Sequence, residues 1–122
     1  MKHIYVAGPY RGITKARRNL NILVCKHAGV LLSERGWMPL IPCQNTASFD
    51  DYTKGINDKF WLDGTMEQML KCDAVFMAQG WELSEGAIAE RDKAIIEGMD
   101  IYYTIGEVPY IGKGGKQNAK NI

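Results

Sequence analysis

The residues best suited to chemistry lie in one stretch, Gly80-Trp81-Glu82-Leu83-Ser84-Glu85-Gly86-Ala87-Ile88-Ala89-Glu90. The pattern predicts a helix from Ser84 to about Met99, ended by Gly98, with Ser84 as its N-cap; the hydroxyl accepts a hydrogen bond from an otherwise unpaired first-turn amide. Gly86 and Glu90 stand at i and i+4 and share a helical face. With no side chain at Gly86, a ligand can reach the backbone and lie against the Glu90 carboxylate. The free amides and the dipole of a helix start favour an anion beside it. A carboxylate next to a sugar can act as a nucleophile or stabilise an oxocarbenium-like transition state. At about 100° per residue, Ile88, Ala89, Ile95, Ile96 and Met99 cluster on one side, and Glu90 points away from them. That direction suits either a solvated residue or a side chain aimed into a crevice.

The elements that position this stretch follow from the rest of the chain. Asp73-Ala74-Val75-Phe76-Met77-Ala78 is short, apolar and rich in β-formers, a buried strand leading into the Ser84 turn. His3-Ile4-Tyr5-Val6-Ala7 reads as a first strand, followed by the turn Gly8-Pro9-Tyr10-Arg11-Gly12. Tyr5 on that strand could hold a carboxylate by its hydroxyl or simply pack. Arg11 could grip a phosphate or decorate the surface. The turn fits neither the Walker loop nor G-x-G-x-x-G, so neither NTP hydrolysis nor dinucleotide reduction is supported. Thr14 caps a helix to about Arg35, with Leu20, Val24, Ala28 and Leu31 expected to face the sheet and Lys15, Arg17 and Arg18 near its start. Trp37 to Pro42, carrying two prolines, reads as a short edge strand. Cys43 to about Asn57 is an aperiodic loop of a length often associated with function. Phe60, Trp61, Met66, Met69 and Leu70 suggest a helix with a break at Gly64, and Asp100 to Ile105 reads as a fourth strand.

Alternation of strand and helix predicts an α/β fold: a single-domain flavodoxin-like (Rossmann-like) parallel sheet of four to five strands with helices on both faces. The expected order 2-1-3-4 puts strands 1 and 3 side by side, so the Gly8 and Ser84 turns would line one crevice. The domain is expected over residues 1–110, with a polar, Gly-rich tail over 111–122. A chain of 122 residues, 46% hydrophobic and 24% charged, suits one globular domain. A net charge of +1 gives no global attraction to nucleic acid or membrane. Three cysteines (Cys25, Cys43 and Cys72) lack metal-ligand spacing, and His3 and His27 add none, so no metal and no cofactor are expected. Reduced thiols, no signal-like segment and no membrane-length apolar run predict a cytoplasmic protein.

Tyr5-Val6-Ala7-Gly8-Pro9-Tyr10-Arg11-Gly12, then Cys72-Asp73-Ala74-Val75, then Ser84-x-Gly86-x-x-x-Glu90, resembles the nucleoside 2-deoxyribosyltransferase-like family over about residues 3 to 105. The resemblance is closest to a small phage and bacterial branch related to the 2′-deoxynucleoside 5′-monophosphate N-hydrolases. It implies cleavage of an N-glycosidic bond, with Glu90 matching the glutamate that attacks the anomeric carbon and Tyr5 the tyrosine that orients it. Ser84, Gly86 and Arg11 match positions that hold a 5′-phosphate, and Gly8, beside Tyr10, the glycine that admits the nucleotide. The family's acid, which assists the leaving base, falls on Thr65 here; Asp63, just upstream, is the candidate to replace it. The implied partner is a nucleoside or nucleotide, not a nucleic acid polymer, and the family's habit implies a homodimer or larger homo-oligomer. Transfer of the sugar to a second base, or nucleotide binding without catalysis, including of NAD-derived nucleotides, are the alternatives.

Overall fold

The two apolar runs become the central strands of the computed structural model, which describes residues 1–10, 14–45, 49 and 52–112. Strand β1 (His3–Ala7) pairs in parallel with β2 (Met38–Leu40) on one side and β3 (Ala74–Met77) on the other, and β3 pairs in parallel with β4 (Asp100–Tyr102). The order is therefore β2-β1-β3-β4, an all-parallel flavodoxin-like sheet of four strands. Strands covered on both faces read as continuous apolar runs, and Ile4 to Ala7 and Ala74 to Ala78 are all buried. Period-2 alternation then divides the core. Ile4, Val6, Ala74 and Phe76 face helix α1 (Lys15–Glu34), while Tyr5, Ala7, Val75 and Met77 face helices α3 (Asp58–Leu70) and α4 (Glu85–Ile96).

Several boundaries differ from the sequence expectation for local reasons. β2 keeps only three residues, because Pro42 opens a short helix α2 (Pro42–Asn45), a first-turn position where a missing amide hydrogen is harmless. Helix α3 runs unbroken through Gly64, started by Asn57, whose side chain accepts from the Phe60 amide at 3.1 Å. β4 stops at Tyr102 because Thr104 begins a 3-10 turn over Ile105–Glu107, closed by a reciprocal Thr104–Glu107 cap. Beyond it the chain straps across the end of α1: Arg35 Nη1 donates to the Val108 carbonyl at 2.8 Å, Trp37 Nε1 to that of Pro109 at 2.9 Å, and the Ile111 amide to that of Arg35 at 2.9 Å. The expected polar tail lies, from residue 113 on, outside the described residues.

Two helix faces are corrected. On α1 the buried set is Asn21, Cys25, Ala28, Gly29 and Leu32; of the predicted Leu20, Val24, Ala28 and Leu31, Ala28 is buried and Val24 packs against the core, but the face is centred one step round and Leu20 is 47% exposed. Small residues let the helix lie close, and a Cβ on Gly29 would sit 2.3 Å from Ile41 Cδ1. On α4 the inward residues are Ala87, Glu90 and Ala94, while Ile95 and Ile96, assigned to the core by periodicity, are 56% and 77% exposed. The alanines fit against the larger Tyr5 and Met77 of the sheet. Glu90 therefore points into the protein rather than away from it.

No helix among the described residues is long and apolar enough to cross a membrane.

Candidate functional site

Strands β1 and β3 end side by side, closed by the Ala78 amide donating to the Ala7 carbonyl at 2.7 Å. The loops that leave them diverge around a cleft of about 1550 Å³, lined among others by Gly8, Tyr10, Arg17, Leu62, Ser84 and Gly86. The carboxyl ends of adjacent parallel strands are the ordinary ligand position in open α/β sheets. Glycine is needed at two points of the rim. Gly80 sits at φ 91°, a left-handed conformation. At Gly8 a Cβ would lie 2.8 Å from Cys25 Sγ and 2.9 Å from Ala78 Cβ. The space beside Gly8 is thus filled by the protein's own core, and its glycine is explained by packing as well as by access.

Glu90 forms the floor. It is only 7% exposed, and its carboxylate is held from two sides. The Tyr5 hydroxyl, carried up from β1, donates to Glu90 Oε2. The Thr65 hydroxyl, from the facing side of α3, lies 3.1 Å from the same oxygen and also 3.1 Å from the Leu62 carbonyl. A hydroxyl has one proton, so Thr65 donates to one of these acceptors at a time. Both contacts engage Oε2, and Oε1 has no hydrogen-bond partner among the described residues.

Burial raises the pKa of Glu90, because a carboxylate loses hydration in a low-dielectric site; the Tyr5 and Thr65 hydrogen bonds oppose the rise by favouring the anion. Burial, reinforced by the nearby Glu90 charge, pushes the Tyr5 phenol well above its ordinary value. Tyr5 therefore keeps its proton and remains the donor of the pair.

The other predicted residues divide. Ser84 caps α4, its Oγ accepting from the Ala87 amide at 3.1 Å, which leaves the first-turn amides of Glu85 and Gly86 at the cleft wall. Gly86 leaves room in front of them: a Cβ there would make ordinary contacts, 3.8 Å to Leu62 Cδ1 and 3.9 Å to Ser84 Oγ. Tyr10 lines the cleft with the Arg18 guanidinium 5.9 Å from its ring centre. Arg11 lies outside the described residues. Asp63 is not brought to the cleft; it is exposed and paired with Lys59 at 2.5 Å, one turn back on α3. Two residues earlier or later on a helix is about 200° of rotation, so Thr65 and Asp63 cannot face the same way.

Sequence reasoning passed over two lining residues. Arg17 contributes a cation to the lining, in the first turn of α1, which Thr14 caps by accepting from the Arg17 backbone amide at 3.1 Å. Its place one helical turn above Leu20 and Asn21 was the available signal. Cys43, on α2, packs against the core cluster that contains the buried Cys25, and the interaction of the two thiols raises Cys25 and lowers Cys43. Among the described residues no group of three or more His, Cys, Asp or Glu is placed to hold a metal ion.

The chain belongs to the family described as Domain of unknown function (DUF4406), which it matches over residues 2–103. Comparison with curated proteins and with solved structures gave no match.

Proposed function

We propose that the protein hydrolyses the N-glycosidic bond of a nucleoside 5′-monophosphate, ribo or deoxy, with Glu90 as the nucleophile. The observation that carries this reading is the buried, cleft-lining carboxylate of Glu90, held at Oε2 by Tyr5 and Thr65 while Oε1 has no hydrogen-bond partner among the described residues. The resemblance to the nucleoside 2-deoxyribosyltransferase-like family supports the same roles for Glu90 and Tyr5. Oε1 attacks the anomeric carbon as the base departs, giving a glycosyl ester that water then cleaves. If a second base enters in place of water, the same intermediate gives transfer, and a cleft of this volume has room for one. Thr65 at the position of the family's acid favours a second reading, a nucleotide-binding protein without turnover. Incubation with a panel of ribo- and deoxynucleoside monophosphates, followed by chromatography for free base, tests the proposal. Binding without release of any base would select the second reading.

The 5′-phosphate is assigned to the start of α4. The Ser84-capped turn offers the Glu85 and Gly86 amides, and Arg17 stands at the same cleft. A phosphate at a helix start gains from both the amides and the dipole. A monophosphate should bind more tightly than its nucleoside, and Arg17→Ala should shrink the difference by about tenfold, the scale of one charge-assisted contact. Titration calorimetry giving equal affinity for the two ligands in the unaltered protein would contradict the assignment.

Self-association belongs to the same proposal. Leu20, Leu23 and Val30 of α1 are exposed large apolar residues, and burying such a surface drives association. A homodimer is expected in light scattering at micromolar concentration, and Leu23→Glu should shift it toward monomer. A monomer throughout that range would contradict it.

A further inference from the structure

Expelling a neutral purine or pyrimidine from the anomeric carbon leaves negative charge on its nitrogen. An acid that protonates the departing nitrogen contributes typically about 10²–10⁴-fold. In retaining glycosidases that acid is a second carboxyl about 5–5.5 Å from the first. Among the described residues the groups that hydrogen-bond Glu90 are Tyr5 and Thr65, and neither is a carboxyl. Burial is what raises Glu90, against the Tyr5 and Thr65 hydrogen bonds, and no second carboxylate adds to the rise. On α3 the residue that meets Glu90 is Thr65, while Asp63 is turned outward to Lys59. Asp58 and Glu85 also line the cleft, but Asp58 stands two helical turns from Thr65, about 10 Å along the axis of α3, and Glu85 five residues before Glu90, about 7.5 Å along the axis of α4. Tyr5 gives its hydrogen bond to Glu90 and holds its proton tightly.

A base that is already cationic at its glycosidic nitrogen needs no acid. We infer that the cleft takes a pyridinium ribonucleotide, whose leaving group departs as a neutral ring, because Thr65 rather than a carboxylic acid faces Glu90. The inference rests on the glycosidase reading and narrows its substrate class. Glu90 Oε1 forms a bond to C1′ as the C1′–N bond breaks, and the bonding pair returns to the ring nitrogen and cancels its positive charge. Water then attacks C1′ of the ester, the Glu90 carboxylate leaves, and one proton passes to solvent. The net change is pyridinium ribotide plus water to sugar phosphate, neutral pyridine base and a proton. A buried anion at the floor also attracts the cationic ring.

The experiment compares nicotinamide mononucleotide, NAD⁺ and the common ribo- and deoxynucleoside monophosphates on the full chain, with chromatography for the released base. Nicotinamide release from the mononucleotide should exceed release of any neutral base by at least about a hundredfold, the lower end of what an acid supplies. Cleavage of NAD⁺ at a comparable rate would extend the class to dinucleotides; a rate more than tenfold lower would restrict it to the mononucleotide. Thr65→Asp should raise neutral-base release relative to nicotinamide release by at least about tenfold. Neutral bases released as fast as nicotinamide would overturn the inference while leaving the glycosidase reading intact. No release from any nucleotide, with binding retained, would overturn both.

Discussion

Glu90→Gln is expected to lower base release by at least about a thousandfold while nucleotide affinity changes little. An amide cannot form the glycosyl ester, so the loss falls on the chemical step rather than on binding. Glutamine keeps the shape, and its carbonyl oxygen can still accept from Tyr5 and Thr65. The structure adds an expectation that periodicity did not support. Glu90 is buried, and burial raises its pKa. A carboxyl raised in the folded state contributes stability that is full below the pKa of the unfolded chain and is lost as pH rises through the folded value. At neutral pH the unaltered chain therefore carries the penalty of a desolvated anion. Glu90→Gln removes it and should melt no lower, and at neutral pH higher, than the parent. Glu82→Gln and Glu85→Gln, both on exposed residues before the buried turn of α4, should retain most activity. Calorimetric melting and base release on the same samples check both halves.

Tyr5→Phe is expected to cost about ten- to a hundredfold, the range of a hydrogen bond to a charged group converted to rate. Phenylalanine fills the same buried site on β1 without the hydroxyl that donates to Glu90. The informative readout is pH. Glu90 must be ionised to attack, so activity falls as pH falls through its pKa, and burial sets that limb above the usual carboxylate range. Removing the Tyr5 donor takes away the larger of the two hydrogen bonds that hold the pKa down, and the acid limb should move further toward alkaline pH. Part of the lost rate should return as the pH is raised. A rate loss with an unmoved limb would mean that Tyr5 serves only as packing.

The sheet was legible because its signal is strong and local. The apolar runs at Ile4 to Ala7 and Ala74 to Met77 can only be buried strands, and the alternation of elements leaves few topologies that join them. Ser84 was legible as a cap because its hydroxyl has a specific job at a helix start. The helix faces were not. Periodicity follows the largest apolar residues, which pointed to Leu20 on α1 and to Ile95 and Ile96 on α4. Close packing against a flat sheet selected small ones instead, Cys25 and Gly29 beside the predicted Ala28 on α1 and Ala87 and Ala94 on α4. This error inverted the apparent environment of Glu90. Thr65 was legible only as a departure from a family pattern, since its contact to Glu90 joins residues 25 apart through two helices. Asp63 looked suitable by residue type, and its helical phase, fixed by the unbroken run through Gly64, removes it.

The central claim is that Glu90 becomes covalently bonded to the sugar. A nucleotide bearing fluorine at C2′ of the sugar slows attack on the intermediate more than it hinders its capture, because fluorine withdraws electrons from the oxocarbenium-like transition state. Incubation with such a compound, acid quenching and peptide mass spectrometry reads the ester directly. The account predicts one fluorinated sugar phosphate per chain on the peptide that contains Glu90, with one equivalent of base released and no adduct in Glu90→Gln. An active protein that turns over ordinary nucleotides yet carries the adduct on another residue, or labels equally in Glu90→Gln, would contradict it.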